Sequence, residues 1–320
     1  MKKINFNLII LPIIANICIS CVENIITINV SPNKLTNIIF LSEGDSSDIF
    51  NLDYIHPLNK IEKIKYYLKI KHTRTDSTYI KKTDFFLIDS SFILNEKNYN
   101  GLTYSYSDSK SDGYFSTIYK AKLIFHGKKI DVDYPKLNEA IIKDNLDSLS
   151  WLSEAVAKNI EKSILDISID SKLDIDFIRI SNHFKNSLSR LKTYEDYLNI
   201  KKNRVEFITD ILQPFTNDKV FIDQLSQNMI VYEERLKQVI ELNDDSFLIK
   251  LNMPGRPTND NSHKYENRSM LWSFGVDSIL SDDYIIFGES VVYKIKNIQY
   301  LLFALIFSVS ISIIIYIRLK

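Results

Sequence analysis

The sequence has little of three residue types that mark common protein classes. It contains two cysteines, seven glycines and seven prolines among 320 residues. Because Cys18 falls within the leader predicted below, the mature chain keeps at most one cysteine, which excludes an internal disulfide and a cysteine-based zinc site. The glycines are scattered singly, so no glycine-rich phosphate loop occurs. The low glycine and proline content also excludes a flexible repeat stalk.

The sequence also has no excess of either charge, since forty basic residues balance forty acidic ones. Nucleic-acid-binding domains carry clustered basic surface and a high pI, so we expect no nucleic-acid partner. The five histidines form no His-Glu-x-x-His pattern, and no Gly-x-Ser-x-Gly elbow occurs. The pairs Asp131/Asp133 and Asp174/Asp176 fall short of the roughly six or more oxygens that calcium takes. We therefore predict no catalytic residues, no metal site, no cofactor and no enzyme activity.

The N-terminal segment has the layout of an export signal. Two lysines precede an apolar stretch over residues 4–19, as in secretory signals. Ser20 directly before Cys21 resembles the bacterial lipobox, in which the cysteine receives a diacylglycerol. We predict that residues 1–20 are a lipoprotein-type signal peptide and that Cys21 is the lipidation site. Because Cys18 stands where the lipobox has leucine, the alternative is cleavage near Ser20 that leaves Cys21 as a plain thiol.

The C-terminal segment predicts a transmembrane helix. Residues 300–317 carry no charge, and about 17–25 apolar residues cross a bilayer core. Tyr300 and Tyr316 stand where interfacial aromatic residues occur, and the serines between them can bond back to their own helix. We assign residues 297–320 to this helix and a short cytoplasmic tail. With the leader, this places the body on the extracytoplasmic side, periplasmic or cell-surface, with the membrane as a partner.

Two side-chain periodicities divide the body. Residues 21–134 alternate apolar and polar positions, which indicates antiparallel strands. Over residues 135–243 apolar residues recur at three- and four-residue steps, and Pro135 suits a first helical turn. Strands return over residues 244–296. We predict an α+β fold in which N- and C-terminal strands share an antiparallel sheet around a central helical insertion, followed by the C-terminal transmembrane helix. Such a closed sheet would place both anchored ends on the same side of the domain.

Within these regions the periodicities predict individual elements. Strands are predicted over residues 26–30, 35–41, 64–71, 85–94, 103–107, 118–125, 129–132, 247–253, 269–274 and 284–295. Helices are predicted over residues 137–164, 177–198, 205–212 and 221–240, and a polar loop over residues 256–268.

The C-terminal part of the body carries the most specific pattern. A strand ending in Met253-Pro254-Gly255, a polar loop, Leu271-Trp272-Ser273-Phe274, a final strand and a membrane helix together resemble bacterial LppM-type lipoproteins. The start, Cys21-Val22-Glu23, is similar as well. The resemblance covers the two ends of the body and not its helical middle. It implies a small exported domain that contacts lipid or envelope components, and it carries over no catalytic residues.

Pro254, Gly255 and Trp272 are therefore candidate interaction residues. Their alternative role is structural, because Pro-Gly makes a tight strand exit and a strand tryptophan anchors the core of a hairpin.

These features together predict a membrane-anchored extracytoplasmic lipoprotein that acts as a non-enzymatic interaction or assembly module of the cell envelope. Its partner would be an envelope protein or a lipid. One alternative is a lipid-binding or lipid-transfer domain with an apolar cavity between the sheet and the helices. Another is an unrecognised envelope hydrolase, whose paired carboxylates need not be close in sequence.

Overall fold

The chain folds into two β-sheets, a helical unit and an apolar C-terminal helix. The computed structural model describes residues 23–33, 36–44, 65–72, 77–87, 91–93, 102–170, 177–188 and 193–319. The strands are β1 (Glu23–Val30), β2 (Thr36–Gly44), β3 (Lys65–His72), β4 (Ser77–Leu87), β5 (Ser91–Ile93), β6 (Tyr104–Asp112), β7 (Ser116–Phe125), β8 (Ser246–Asn252), β9 (Arg256–Asp260), β10 (Lys264–Glu266), β11 (Ser269–Gly275) and β12 (Tyr284–Tyr293). The helices are α1 (Ile130–Asp133), α2 (Pro135–Ile142), α3 (Leu152–Asp170), α4 (Phe177–Leu188), α5 (Tyr194–Lys202), α6 (Arg204–Leu212), α7 (Lys219–Glu241) and α8 (Ile295–Leu319).

The first sheet has seven strands in the order β10-β11-β8-β1-β2-β4-β3. Alternate residues of β1 are buried, among them Ile26 and Ile28, as their period of two predicts. The predicted hairpin of β1 and β2 is confirmed. The prediction of one antiparallel sheet needs two corrections, because the strands form two sheets and β8 pairs with β1 in parallel. The chain returns to β8 through the helical unit, and parallel neighbours require such a long crossover.

The second sheet has five strands in the order β5-β6-β7-β12-β9, with antiparallel pairs. The predicted strand over residues 85–94 is therefore wrong as a single element: β4 ends at Leu87 in the first sheet, and β5 begins at Ser91 in the second. Strands from before and after the helical unit occur in both sheets. The C-terminal strands thus rejoin the N-terminal ones, as predicted.

Aromatic side chains join the inner faces of the two sheets. The ring centroids of Phe40 and Tyr104 are 5.6 Å apart, and those of Phe125 and Phe274 are 4.9 Å apart. These residues belong to one hydrophobic core that both sheets share. The sheets therefore form a β-sandwich, with one face of each sheet turned inward.

The helical unit, α2 to α7, contains a second hydrophobic core formed by residues between Val156 and Met229. The helices predicted over residues 137–164 and 177–198 are each observed as two separate helices. Residues with left-handed backbone, Asp144 (φ 50°) and Leu149 (φ 53°), separate α2 from α3, and a capping box at Thr193 starts α5. The apolar spacing runs across these breaks because the helices on either side face shared cores.

The segment 129–132 is predicted as a strand, and this prediction is wrong. The segment lies in and beside the short helix α1, which Lys129 precedes with a left-handed φ of 55°. Four residues are too few to distinguish a strand from a helical turn by periodicity. The predicted spans of α6 and α7 agree with the structure to within two residues at each end.

The helical unit and the C-terminal helix lie at opposite ends of the sandwich. Phe125 ends β7 and Ser246 begins β8, so the chain leaves for the helical unit and returns from it at one end. Tyr284, which begins β12, pairs with Phe125 and therefore lies at this same end. The ten residues of β12 then cover about 30 Å to Tyr293. Helix α8 starts just beyond that far end, which we call the membrane end.

The first strand begins at the end of the sandwich next to the helical unit, which we call the helical end. Glu23 pairs with Ser246, and β1 runs toward the membrane end in the same sense as β12. The start of β1 and the end of β12 are therefore at opposite ends of the sandwich. The predicted placement of both anchored ends on one side of the domain is wrong. Because β1 and β12 run in the same direction, the chain enters the sandwich at one end and leaves it at the other.

Helix α8 is long and apolar enough to cross a membrane, and its span is not buried against the rest of the chain. Its three serine hydroxyls bond back to carbonyls of the same helix, as predicted. Ser308 donates to Leu305 O at 3.0 Å, Ser310 to Ile306 O at 2.8 Å and Ser312 to Ser308 O at 2.9 Å. The hydroxyls therefore leave the helix surface apolar.

Candidate functional site

The Pro254-Gly255 pair connects the two sheets and does not form a hairpin within one sheet. It follows β8 in the first sheet and precedes β9 in the second. Gly255 has a φ of +82°, and a Cβ there would lie 2.2 Å from Val291 O. Ser290 Oγ donates to Pro254 O at 2.7 Å. The pair is therefore fixed against β12 at a crossing where a side chain on residue 255 has no room.

Trp272 lies inside the sandwich core with 1% of its surface exposed. Its Nε1 donates to the backbone O (2.9 Å) and Oδ1 (3.0 Å) of Asn261. The segment predicted as a polar loop contains β9 and β10, and the indole holds their connection. Trp272 therefore has a structural position, away from the surface. Cys21 lies outside the described residues.

A cleft lies where the corner between β7 and α1 meets α3 and α7. Its volume is about 260 Å³. Charged side chains from three separate segments line it: Lys128 before α1 and Asp133 at the end of α1, Lys162 from α3 and Arg235 from α7. The sequence contains no local motif for this cluster, because its members are brought together only when the two long helices pack on the sandwich.

Aromatic rings and one carboxylate position the cations of the cleft. Lys162 Nζ lies 2.5 Å from Asp133 Oδ2 and 5.1 Å and 5.6 Å from the ring centroids of Tyr134 and Tyr232. The Arg235 guanidinium carbon lies 5.4 Å from the Tyr232 centroid. Such cation–π contacts hold a charge in place and leave its other side open to solvent or a ligand.

Both tyrosines of the cleft keep their protons at neutral pH. Burial, followed by the nearby charge of Asp133, raises the pKa of Tyr134, whose hydroxyl donates to Asn159 Oδ1 at 2.7 Å. Burial, followed by the hydrogen bond donated to Asp166 at 2.7 Å, raises the pKa of Tyr232 to about 12. These phenols are therefore hydrogen-bond donors and not bases.

A second, more open cavity of about 410 Å³ lies beside the first, between α1, the start of α2, α3 and α4. Its charges are largely paired: Glu161 lies 3.5 Å from both Lys158 and Lys185, and Glu154 accepts from the backbone N of Lys136 at 2.8 Å. This surface has no unbalanced charge to select a ligand.

Within the described ranges, no three His, Cys, Asp or Glu side chains form a cluster that could bind a metal ion. Of the two carboxylate pairs noted in the sequence, Asp133 is paired with Lys162, and Asp174/Asp176 lies outside those ranges. No protein-family model, no curated protein and no solved structure matches the chain.

Proposed function

We propose that the protein is a membrane-anchored, extracytoplasmic interaction or assembly module of the cell envelope, related to LppM-type lipoproteins and without catalytic activity. The observation that carries this proposal is that α8 is long and apolar enough to cross a membrane, is not buried against the rest of the chain, and starts at the end of the sandwich opposite the helical unit. The sandwich then separates the helical unit from the bilayer by about 30 Å, the length of β12.

The helical unit is the part of the chain that an envelope partner would meet first. It carries apolar side chains turned to solvent, with Ile178 77% and Val220 65% exposed. The buried centre of a protein–protein interface is more apolar than the rest of the protein surface. The charge balance of the whole chain gives no preference for a strongly charged partner.

We further propose that the leader exports the body, that α8 is its anchor, and that the leader is cleaved near Ser20. Only Val22 separates Cys21 from Glu23, and two extended residues reach about 7 Å. Because Glu23 is at the helical end, a diacylglycerol on Cys21 would fall short of the bilayer that holds α8. This geometry supports the alternative in which Cys21 stays a plain thiol.

The two other functions receive less support from the cleft. A lipid carrier needs an apolar cavity, whereas the cleft between sheet and helices is about 260 Å³ in volume and includes four charged side chains in its lining. A two-carboxylate hydrolase needs a free acid and base, whereas Asp133, the carboxylate in the lining, is paired with Lys162.

Alkaline carbonate extraction of the full chain tests the anchor. We expect Phe307→Arg combined with Ile311→Arg to release the protein, because each charge at the centre of a spanning helix costs roughly 3 kcal/mol. The matched control, Ile142→Arg with Ile178→Arg, places the same charges on exposed sites of the body and should stay in the membrane. Cys21→Ser should also stay. Release of the wild type would contradict the anchor, and loss of a lipid-dependent mobility shift in Cys21→Ser would contradict the plain thiol.

Cross-linking followed by capture from detergent-solubilised envelopes tests the interaction role. We expect a partner whose recovery falls with Ile178→Glu plus Val220→Glu in the helical unit. The control Ile285→Glu changes an exposed apolar residue of the sandwich and should leave recovery unchanged. Recovery of the chain alone under every condition, or equal loss with both variants, would count against the proposal.

A further inference from the structure

The turn between β6 and β7 lies against the start of the membrane helix. It runs from Asp112 to Ser116 at the membrane end, and Gly113 N donates to Ser116 O at 2.8 Å to close it. Thr117 Oγ1 donates to Asp112 Oδ1 at 2.6 Å beside it. Hydrogen bonds within the hairpin thus fix the shape of the turn.

Three successive carbonyls of this turn accept hydrogen bonds from the residues that begin α8. Lys294 Nζ donates to Gly113 O at 2.8 Å, Asn297 Nδ2 donates to Tyr114 O at 2.6 Å, and Lys294 N donates to Phe115 O at 2.8 Å. The turn is therefore held at the level of residues 294–297 and cannot move independently of the helix start.

The side chains of this turn are aromatic and face solvent in the isolated chain. Tyr114 is 67% exposed and Phe115 is 40% exposed. Their ring centroids are 4.9 Å apart in an edge-to-face arrangement. Adjacent exposed aromatic rings at the tip of a hairpin add nothing to the sandwich core, so their apolar surface is free to contact something outside the chain.

The position of the turn along the helix axis identifies that contact. Residues 294–297 precede Tyr300, where the uncharged run begins, by three to six positions, which is roughly 5–9 Å of helix. If α8 spans a bilayer, this level is the headgroup layer, where tyrosine and other amphipathic rings are favoured. Lys294, which lies 3.6 Å from Asp112, and Lys296 are at the same level.

We propose that Tyr114 and Phe115 insert into the interfacial layer of the bilayer that α8 spans and form a second membrane contact. The proposal rests on the membrane anchoring proposed above. A single helix leaves the body free to tilt, whereas a second contact on one side of it defines which side of the sandwich faces the lipid. The occupant is a phospholipid surface, and a protein partner at this turn is an outcome that the test separates.

Tryptophan fluorescence in vesicles tests this contact. Full-length Tyr114→Trp is reconstituted in phosphatidylcholine vesicles that contain lipids brominated near the headgroup or deep in the acyl chain. We expect the emission added by the substitution to be quenched severalfold more by the shallow bromines than by the deep ones. Ile142→Trp, an exposed site on α2 at the helical end, is the matched control and should be quenched by neither. The wild type gives the background from Trp151 and Trp272, which are both buried.

Three results would overturn the proposal in distinguishable ways. Extraction of Tyr114→Trp by alkaline carbonate would refute the membrane anchor itself. Resistance to carbonate without bromine quenching, but with quenching by aqueous iodide, would show that the turn stays in water. Resistance to carbonate with neither kind of quenching would indicate a protein contact in place of lipid. Phe115→Trp is the second variant, and it should repeat the result of Tyr114→Trp in a chain with the neighbouring ring intact.

Discussion

The sandwich depends on contacts between residues far apart in the sequence, whereas the helical unit is built from residues of one continuous segment. In the sandwich, Asn24 Nδ2 donates to Asp245 Oδ2 across 221 positions of sequence at 3.1 Å. The core of the helical unit comes from one continuous part of the chain, residues 156–229. The sandwich is therefore complete only after the helical unit has brought β8 back beside β1, whereas the helical unit needs no strand to close its core.

Two helices nevertheless connect these regions. Helix α3 places Ala155 in the sandwich core and Val156 in the helical core, and α7 places Leu236 in the first and Met229 in the second. Disruption of the sandwich should therefore weaken the packing of the start of α3 and the end of α7. The rest of both helices should stay packed in the helical core.

The largest expected effect comes from a large-to-small change in the sandwich. Phe247 is buried and stacks on Phe274 with ring centroids 5.3 Å apart. We expect Phe247→Ala to lower the free energy of unfolding by about 4 kcal/mol, because the cavity it leaves cannot fully collapse. Hydrogen exchange should accelerate in β8 and β11 and change little around Met229 in α7. Equal acceleration in both regions would show that the two cores unfold as one unit.

A smaller and more local effect is expected inside the helical unit. Arg204 on α6 and Glu233 on α7 form an ion pair at 2.6 Å, with side chains only 8% and 12% exposed. We expect Glu233→Leu to cost about 3 kcal/mol, because it leaves a buried guanidinium without its carboxylate. Faster exchange should be confined to α6 and the facing part of α7.

The double variant is the control for this prediction. Arg204→Met together with Glu233→Leu removes both charges and should recover most of the lost stability in thermal unfolding. A double variant as unstable as the single one would mean that packing, and not the uncompensated charge, causes the loss.

The sequence predicts local elements of this protein better than their partners. The period of two at Ile26 and Ile28 predicts β1, and the helix predicted over residues 205–212 ends at Leu212 as α6 does. No local pattern distinguishes one sheet from two, so the separation of β4 from β5 and the parallel pairing of β8 with β1 could not be predicted. The cleft was missed for the same reason, since Asp133, Lys162 and Arg235 are far apart along the chain.

The smallest expected effect lies in the cleft, at the junction of the two regions. Tyr232→Phe keeps the ring under Lys162 and Arg235 and removes the hydroxyl that donates to Asp166. We expect a loss of less than about 1 kcal/mol at pH 7, because water reaches this hydrogen bond.

The pH dependence of stability makes this small effect measurable. The pKa of Tyr232 is raised from 10.0 to about 12 in the folded chain, so the unfolded chain loses this proton first. Its contribution to stability is complete below pH 10 and is lost as the pH rises to about 12. Urea unfolding across this range should therefore show a shallower fall for Tyr232→Phe than for the wild type. Identical slopes for Tyr232→Phe and the wild type would contradict the predicted role of Tyr232 at the junction.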